Sequence, residues 1–241
     1  MNRLISAMKL DVTLQVRTQL YSIGIFVGML VAAVFAWLAT PEQLPNYVPT
    51  LMLLVVGGST FLYVAAMILF EKDQGTLSAI IVSPLTSSQY LWSKIITLTA
   101  LATLEGVIMV VGAMAIMRLS ATLAWPNFSW LLLGIVAIGI VYTLLGIVLI
   151  VRYDSITDFM IPMAFLAVIL QLPFVYFLGW ITHPILLIIP TSAPTVLMQA
   201  AFGPLATWEW VYGVAYTLLI IVGLTIWAHR SFETHIVAKV G

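Results

Sequence analysis

The sequence has no cysteine, which excludes disulfides, thiolate zinc sites and thiol catalysis. Charge is nearly as scarce. Only 7% of residues are Asp, Glu, Lys or Arg, against about 25% in a soluble domain. Formal net charge is zero, so a nucleic-acid partner finds no electrostatic support. The chain also lacks a phosphate-cradling GxxxxGK[ST] loop, an HExxH pair, a GxSxG elbow and a Ser/Lys constellation. His183, His229 and His235 are scattered and give no metal-ligand spacing. Hydrolytic chemistry, ATP hydrolysis included, is therefore not expected of this chain, and neither is a metal or a bound cofactor.

What fills the sequence instead is apolar. It is 63% hydrophobic with a mean hydropathy of +1.15, and it reads as an all-α integral membrane protein forming a single domain over 1–241. Crossing about 30 Å of hydrocarbon takes about 20 helical residues. Six stretches qualify, at 21–39, 51–70, 91–117, 130–151, 159–179 and 209–228. The third is overlong, so its first turns around Trp92 and Lys94 are expected to emerge on the cytoplasmic side. Residues 180–207 are also apolar, but Pro184, Pro190, Pro194 and Gly203-Pro204 interrupt them too often for a continuous helix. They read as a re-entrant outer pair of short helices, the second capped by Thr191 or Ser192.

Before the first span, Leu4, Met8, Val12, Val16 and Leu20 recur every four residues with Ile5 beside them. That spacing predicts an amphipathic interfacial helix over 1–20. The N-terminal residues are too polar for a cleaved signal peptide. Six crossings with the N-terminus inside put Arg3, Lys9, Arg17, Lys72, Lys94, Arg152, Arg230 and Lys239 in the cytoplasm and only Arg118 outside, as the positive-inside rule requires. Trp37, Tyr47, Trp125, Trp130, Trp180, Trp208 and Trp210 then gather at the outer boundary.

The longest polar interval is EKDQGTLSAIIVSPLTSSQYLWSK, Glu71 to Lys94. Leu77, Ile80 and Ile81 fall at i, i+3, i+4 on one helix face. Pro84 ends that short helix, and Thr86, Ser87 and Ser88 offer caps for the next. Glu105 stands alone in the middle of the third span, where an ionised carboxylate costs about 2.5–3.5 kcal/mol on insertion scales. Protonation, a hydrogen bond to a Thr97-type hydroxyl or to Tyr142, or a water-filled cavity would offset that cost. It is either a group lining a substrate or proton pathway or a packing residue. The short charged connection 152–158 is either a second partner contact or a tight turn capped by Asp158. Gly24 and Gly28 form a GxxxG compatible with a dimer seam.

The interval 71–94 resembles the cytoplasmic loop of ABC-2 type transporter permeases, through Glu71-Lys72-Asp73, Gly75-Thr76 and Ser83-Pro84-Leu85. In that family the loop carries a coupling helix that docks on an ATP-hydrolysing subunit. The resemblance implies a docking element over 71–90, built from Glu71, Lys72, Asp73, Gly75, Thr76, Leu77, Ile80, Ile81 and Pro84. It further implies two ATP-binding subunits holding ATP and Mg, a second permease chain, identical or related, and a prokaryotic inner membrane. Residues 189–203, IPTSAPTVLMQAAFG, resemble the corresponding stretch of fluoroquinolone and other drug export permeases.

The expected function is outward transport of a hydrophobic or amphipathic small molecule, with Glu105 on its pathway. A lipid, a lipid-linked glycan or a role in cytochrome maturation are alternative cargoes of the same layout. A proton-coupled carrier using Glu105 is a different mechanism, and an intramembrane enzyme would need a second catalytic group near Glu105 that the sequence does not offer.

Overall fold

The computed structural model describes residues 2–75, 85–119 and 122–237. These residues are mostly helical with no strand among them, and six helices are long and apolar enough to cross a membrane. Helix α1, Asn2–Arg17, leads through Gln19, at φ 61°, into the first crossing, α2, Leu20–Leu38.

The second crossing runs over Pro41–Asp73, starting ten residues earlier than the apolar run alone predicts. Pro41 and Pro45 sit in the first turns of their helices, where the missing N–H had no partner to lose. Gln43 closes a capping box on Thr40. The crossing is composite: a 3-10 turn, α3 (Leu44–Leu51), a π-helical stretch at Met52–Val56, and α4 (Gly57–Asp73). A π turn loosens the backbone ladder, and donors from elsewhere meet it. Tyr142 Oη donates to the Leu53 carbonyl at 3.4 Å and Gln171 Nε2 to the Leu54 carbonyl at 3.1 Å.

Helix α4 stops at Gly75, whose φ of +67° favours glycine. The third crossing, α5 (Ser87–Met117), begins at a capping box in which Thr86 Oγ1 accepts from Gln89 N–H and Gln89 Oε1 from Thr86 N–H. The fourth, α6 (Phe128–Ile150), is capped by Asn127 and is the most deeply buried crossing. The fifth is α7 (Ile156–Gln171) with a short continuation, α8 (Phe174–Phe177). Its cap is Ser155, which accepts from Asp158 N–H, so Asp158 completes the turn rather than capping it. The last crossing is α10 (Thr207–Phe232).

Before it lies the proline-broken segment, made of a 3-10 turn, Pro184–Ile188, and the buried helix α9, Ser192–Gln199. Thr191 holds the N-cap position of α9, but its hydroxyl donates to the Leu170 carbonyl at 2.5 Å instead of capping. Side chains satisfy the turn's carbonyls: Ser192 bonds Leu186, Tyr212 bonds Leu187 and Tyr216 bonds Ile188. Helix α9 lodges against α6 and α10, where Gly134 and Gly213 leave room for Met198 and Leu197. The outward sides of α2, α7 and α10 carry exposed Phe26, Met29, Ile161, Phe165, Leu219 and Val222, as a hydrocarbon surrounding demands.

Candidate functional site

Two buried polar clusters interrupt this apolar bundle. The first lies at the foot of the interval 71–94 and joins three helices. Lys94, on the second turn of α5, is fully buried. Its ammonium donates to Asp11 Oδ1 of α1 at 2.5 Å and to Glu71 Oε1 of α4. Ser93 Oγ donates to Asp11 Oδ2 at 2.5 Å and Tyr90 Oη to Glu71 Oε2 at 2.6 Å. All four carboxylate oxygens are thus matched. The Tyr90 ring lies 5.2 Å from the Lys94 ammonium and stacks on Phe232 at the end of α10.

Here the structure departs from the expectations. Lys94 does not emerge at the surface, because two carboxylates hold it inside. Glu71, expected beside Lys72 and Asp73 as a charge presented by the loop, is only 2% exposed and faces inward. Asp73 is exposed. Lys72 reaches sideways to the carbonyl of Tyr153 at 2.5 Å and to Asp154 at 3.3 Å, fastening the end of α4 to the connection between α6 and α7. Thr76, Leu77, Ile80, Ile81 and Pro84 lie outside the described residues.

Sequence reasoning passed over Asp11. The available signal was a lone carboxylate in an amphipathic helix combined with a lone lysine just inside a span. In α1 the polar side faces the protein. Asp11 and Gln15 are buried, whereas Ile5, Leu10, Val12 and Val16 face outward.

The second cluster surrounds Glu105 in the middle of α5, 1% exposed. Its Oε2 accepts from Ser59 Oγ at 2.8 Å and from Tyr63 Oη at 2.9 Å, both on α4. The partners are therefore not Thr97, which bonds the Ser93 carbonyl, nor Tyr142, which bonds Leu53. Oε1 is buried and has no partner. Helix α2 covers the cluster with its two glycines. A Cβ on Gly24 would stand 3.0 Å from Tyr63 Oη, and one on Gly28 would stand 3.0 Å from the Glu105 carbonyl. The GxxxG thus serves close packing inside the chain rather than a seam between chains.

Along the same seam, toward the far end of α2, lies a cavity of about 480 Å3 lined by α2, the first half of the second crossing, Leu178 and Trp180. Tyr47, Thr50 and Trp180 are the lining residues with polar side-chain atoms, and the rest are apolar. The histidines stay local. His183 accepts from Ile185 N–H, while His229 and His235 bond carbonyls one turn back. Among the described residues no cluster of His, Asp and Glu could hold a metal.

Six apolar crossings, a proline-broken segment before the last of them and polar clusters buried between the helices define a multi-pass membrane protein with the build of a permease. The chain belongs to the fluoroquinolones export permease protein family, whose model matches residues 2–240. It is similar to the fluoroquinolones export permease proteins of two Mycobacterium tuberculosis strains, CDC 1551 / Oshkosh and ATCC 25618 / H37Rv. Each is 32% identical over 248 residues, spanning 100% of this chain and 99% of the relative. The likeness runs the full length and agrees with the resemblance read from 71–94 and 189–203.

Proposed function

We propose that this chain is the membrane-spanning subunit of an ATP-driven exporter that moves a drug-like or lipid-like amphipathic small molecule outward by alternating access. ATP and Mg are bound by two partner ATP-binding subunits, and a second permease chain completes the pathway. The chain resides in a prokaryotic inner membrane with both termini in the cytoplasm, and α1 lies along the inner surface with its apolar side in lipid. The names of the two mycobacterial relatives support export of a drug-like compound.

The observation that carries this reading is the Asp11–Lys94–Glu71 cluster. It ties together the two helices that flank the interval 74–86 and binds both to α1. A partner pressing on that interval then displaces the second and third crossings and α1 together instead of deforming a loose loop. In this reading Leu77, Ile80 and Ile81 meet the ATP-binding subunit, Lys72 and Asp73 flank the contact, and Gly75, Thr76 and Pro84 bound the short helix. Glu71 acts from inside, as the anchor.

The test is transport into inverted membrane vesicles. Uptake of a fluorescent fluoroquinolone is expected to need ATP and to survive an ionophore, and Ile80→Asp is expected to abolish it while insertion remains normal. ATP-independent uptake that collapses with the ionophore would favour the proton-coupled carrier, for which the unpartnered Oε1 of Glu105 is the supporting observation.

A further inference from the structure

The Glu105 cluster and the apolar cavity share their walls. Leu30, Val31, Val34, Phe35 and Leu38 of α2 line the cavity, while Gly24 and Gly28 of the same helix cover Glu105 and Tyr63. On the opposite wall, Thr50, Leu51 and Leu54 line the cavity, and Ser59 and Tyr63 hold the carboxylate. The two segments run in opposite senses. Val31 lies about 4.5 Å along α2 from Gly28, and Leu54 about 7.5 Å from Ser59, at about 1.5 Å of rise per residue. The inner end of the cavity therefore stands about one to one and a half helical turns from the residues that pack on Glu105.

What that carboxylate lacks is informative. No basic side chain pairs with it among the described residues, and both of its donors converge on one oxygen. The other oxygen is buried without a partner, in surroundings where an unmatched acceptor is costly. A ligand bringing one positively charged donor would satisfy it, and the cavity would take the ligand's apolar remainder.

We propose that the seam between α2 and the second crossing binds an amphipathic organic cation, its ammonium group on Glu105 and its apolar body in the cavity. Helix α2 closes over Glu105 through its glycine face. This assignment rests on the reading of the chain as a small-molecule permease, but not on its energy source.

The experiment is equilibrium binding to the full chain in lipid nanodiscs, with no ATP-binding subunit present. The probes are dansyl-hexylamine and dansyl-hexanol, which differ in the cationic head. The amine is expected to bind about tenfold tighter or more, the scale of a close desolvated charge pair. Glu105→Gln is expected to erase that preference and leave the alcohol's affinity in place, whereas Val31→Trp, filling the cavity, weakens both probes. If Glu105→Gln does not yield folded protein, Glu105→Asp, with its carboxylate one methylene shorter, must cut the preference. Equal affinities in the unmodified chain, a preference that survives Glu105→Gln, or indifference of both probes to Val31→Trp overturns the proposal. Cation binding that holds while vesicle uptake proves ATP-independent would sink only the ATP-driven reading.

Discussion

The chain buries two polar clusters on the same helix, and they are finished differently. At the foot of α5, Lys94 meets two carboxylates, and each of their four oxygens receives a donor. Three turns further on, Glu105 has two donors on one oxygen and none on the other. A completed cluster fixes the relative register of the helices that share it, since breaking any member strands a buried charge. An incomplete one fixes less and leaves capacity for something that is not yet there. The first arrangement suits a mechanical joint and the second suits a site of passage.

The sharpest way to break that contrast is Lys94→Met. Two unpaired carboxylates would remain at the joint, and a loss of about 3–5 kcal/mol is expected. It would be read as a fall in the denaturation midpoint of the detergent-purified protein. Adding Asp11→Asn and Glu71→Gln to that variant is expected to restore most of the loss, because the charges left stranded are then gone.

Next in size is Gly213→Leu, a control in which no polar group is involved. A Cβ there would already stand 2.8 Å from Leu197, so overpacking against α9 is expected to cost about 1–3 kcal/mol by the same midpoint. Thr86→Ala removes the cap that starts α5 beside the joint, for a loss of about 1 kcal/mol. Smallest is Glu105→Gln, expected within about 1 kcal/mol of the unmodified chain. The amide oxygen still accepts from Ser59 and Tyr63, and a buried charge is removed. A Glu105→Gln cost as large as that of Lys94→Met would erase the distinction between the two clusters.

Much of the fold was legible because it follows from local rules. The apolar runs mark the six crossings, and Thr86 announces the start of α5 through its capping box. The proline pattern correctly denied a seventh crossing to 180–207. The misreadings arise where a residue's role depends on a distant partner. Lys94 near the end of a run suggests an interfacial cation, and Asp11 and Glu71, 83 and 23 residues away, together make it a core residue. Glu105 finds Ser59 and Tyr63 on the second crossing, not the hydroxyl of its own helix or Tyr142. Pro41 and Pro45 precede the span predicted at 51–70 yet stand in the first turns of helices, since position within the first turn decides whether a proline breaks or starts one. The Gly24–Gly28 face could serve either another chain or its own, and its own third crossing takes it.

The central claim is that a soluble ATP-binding subunit meets this chain at the interval between α4 and α5. The absence of native cysteine makes one measurement unusually clean: a single cysteine in place of Ile80, carrying a photoactivatable cross-linker, illuminated in native membranes. The account predicts a cross-linked product containing an ATP-binding protein, and no such product from a cysteine placed at Trp125 on the opposite side. Efficient labelling at position 80 with no ATP-binding protein in the product would contradict it.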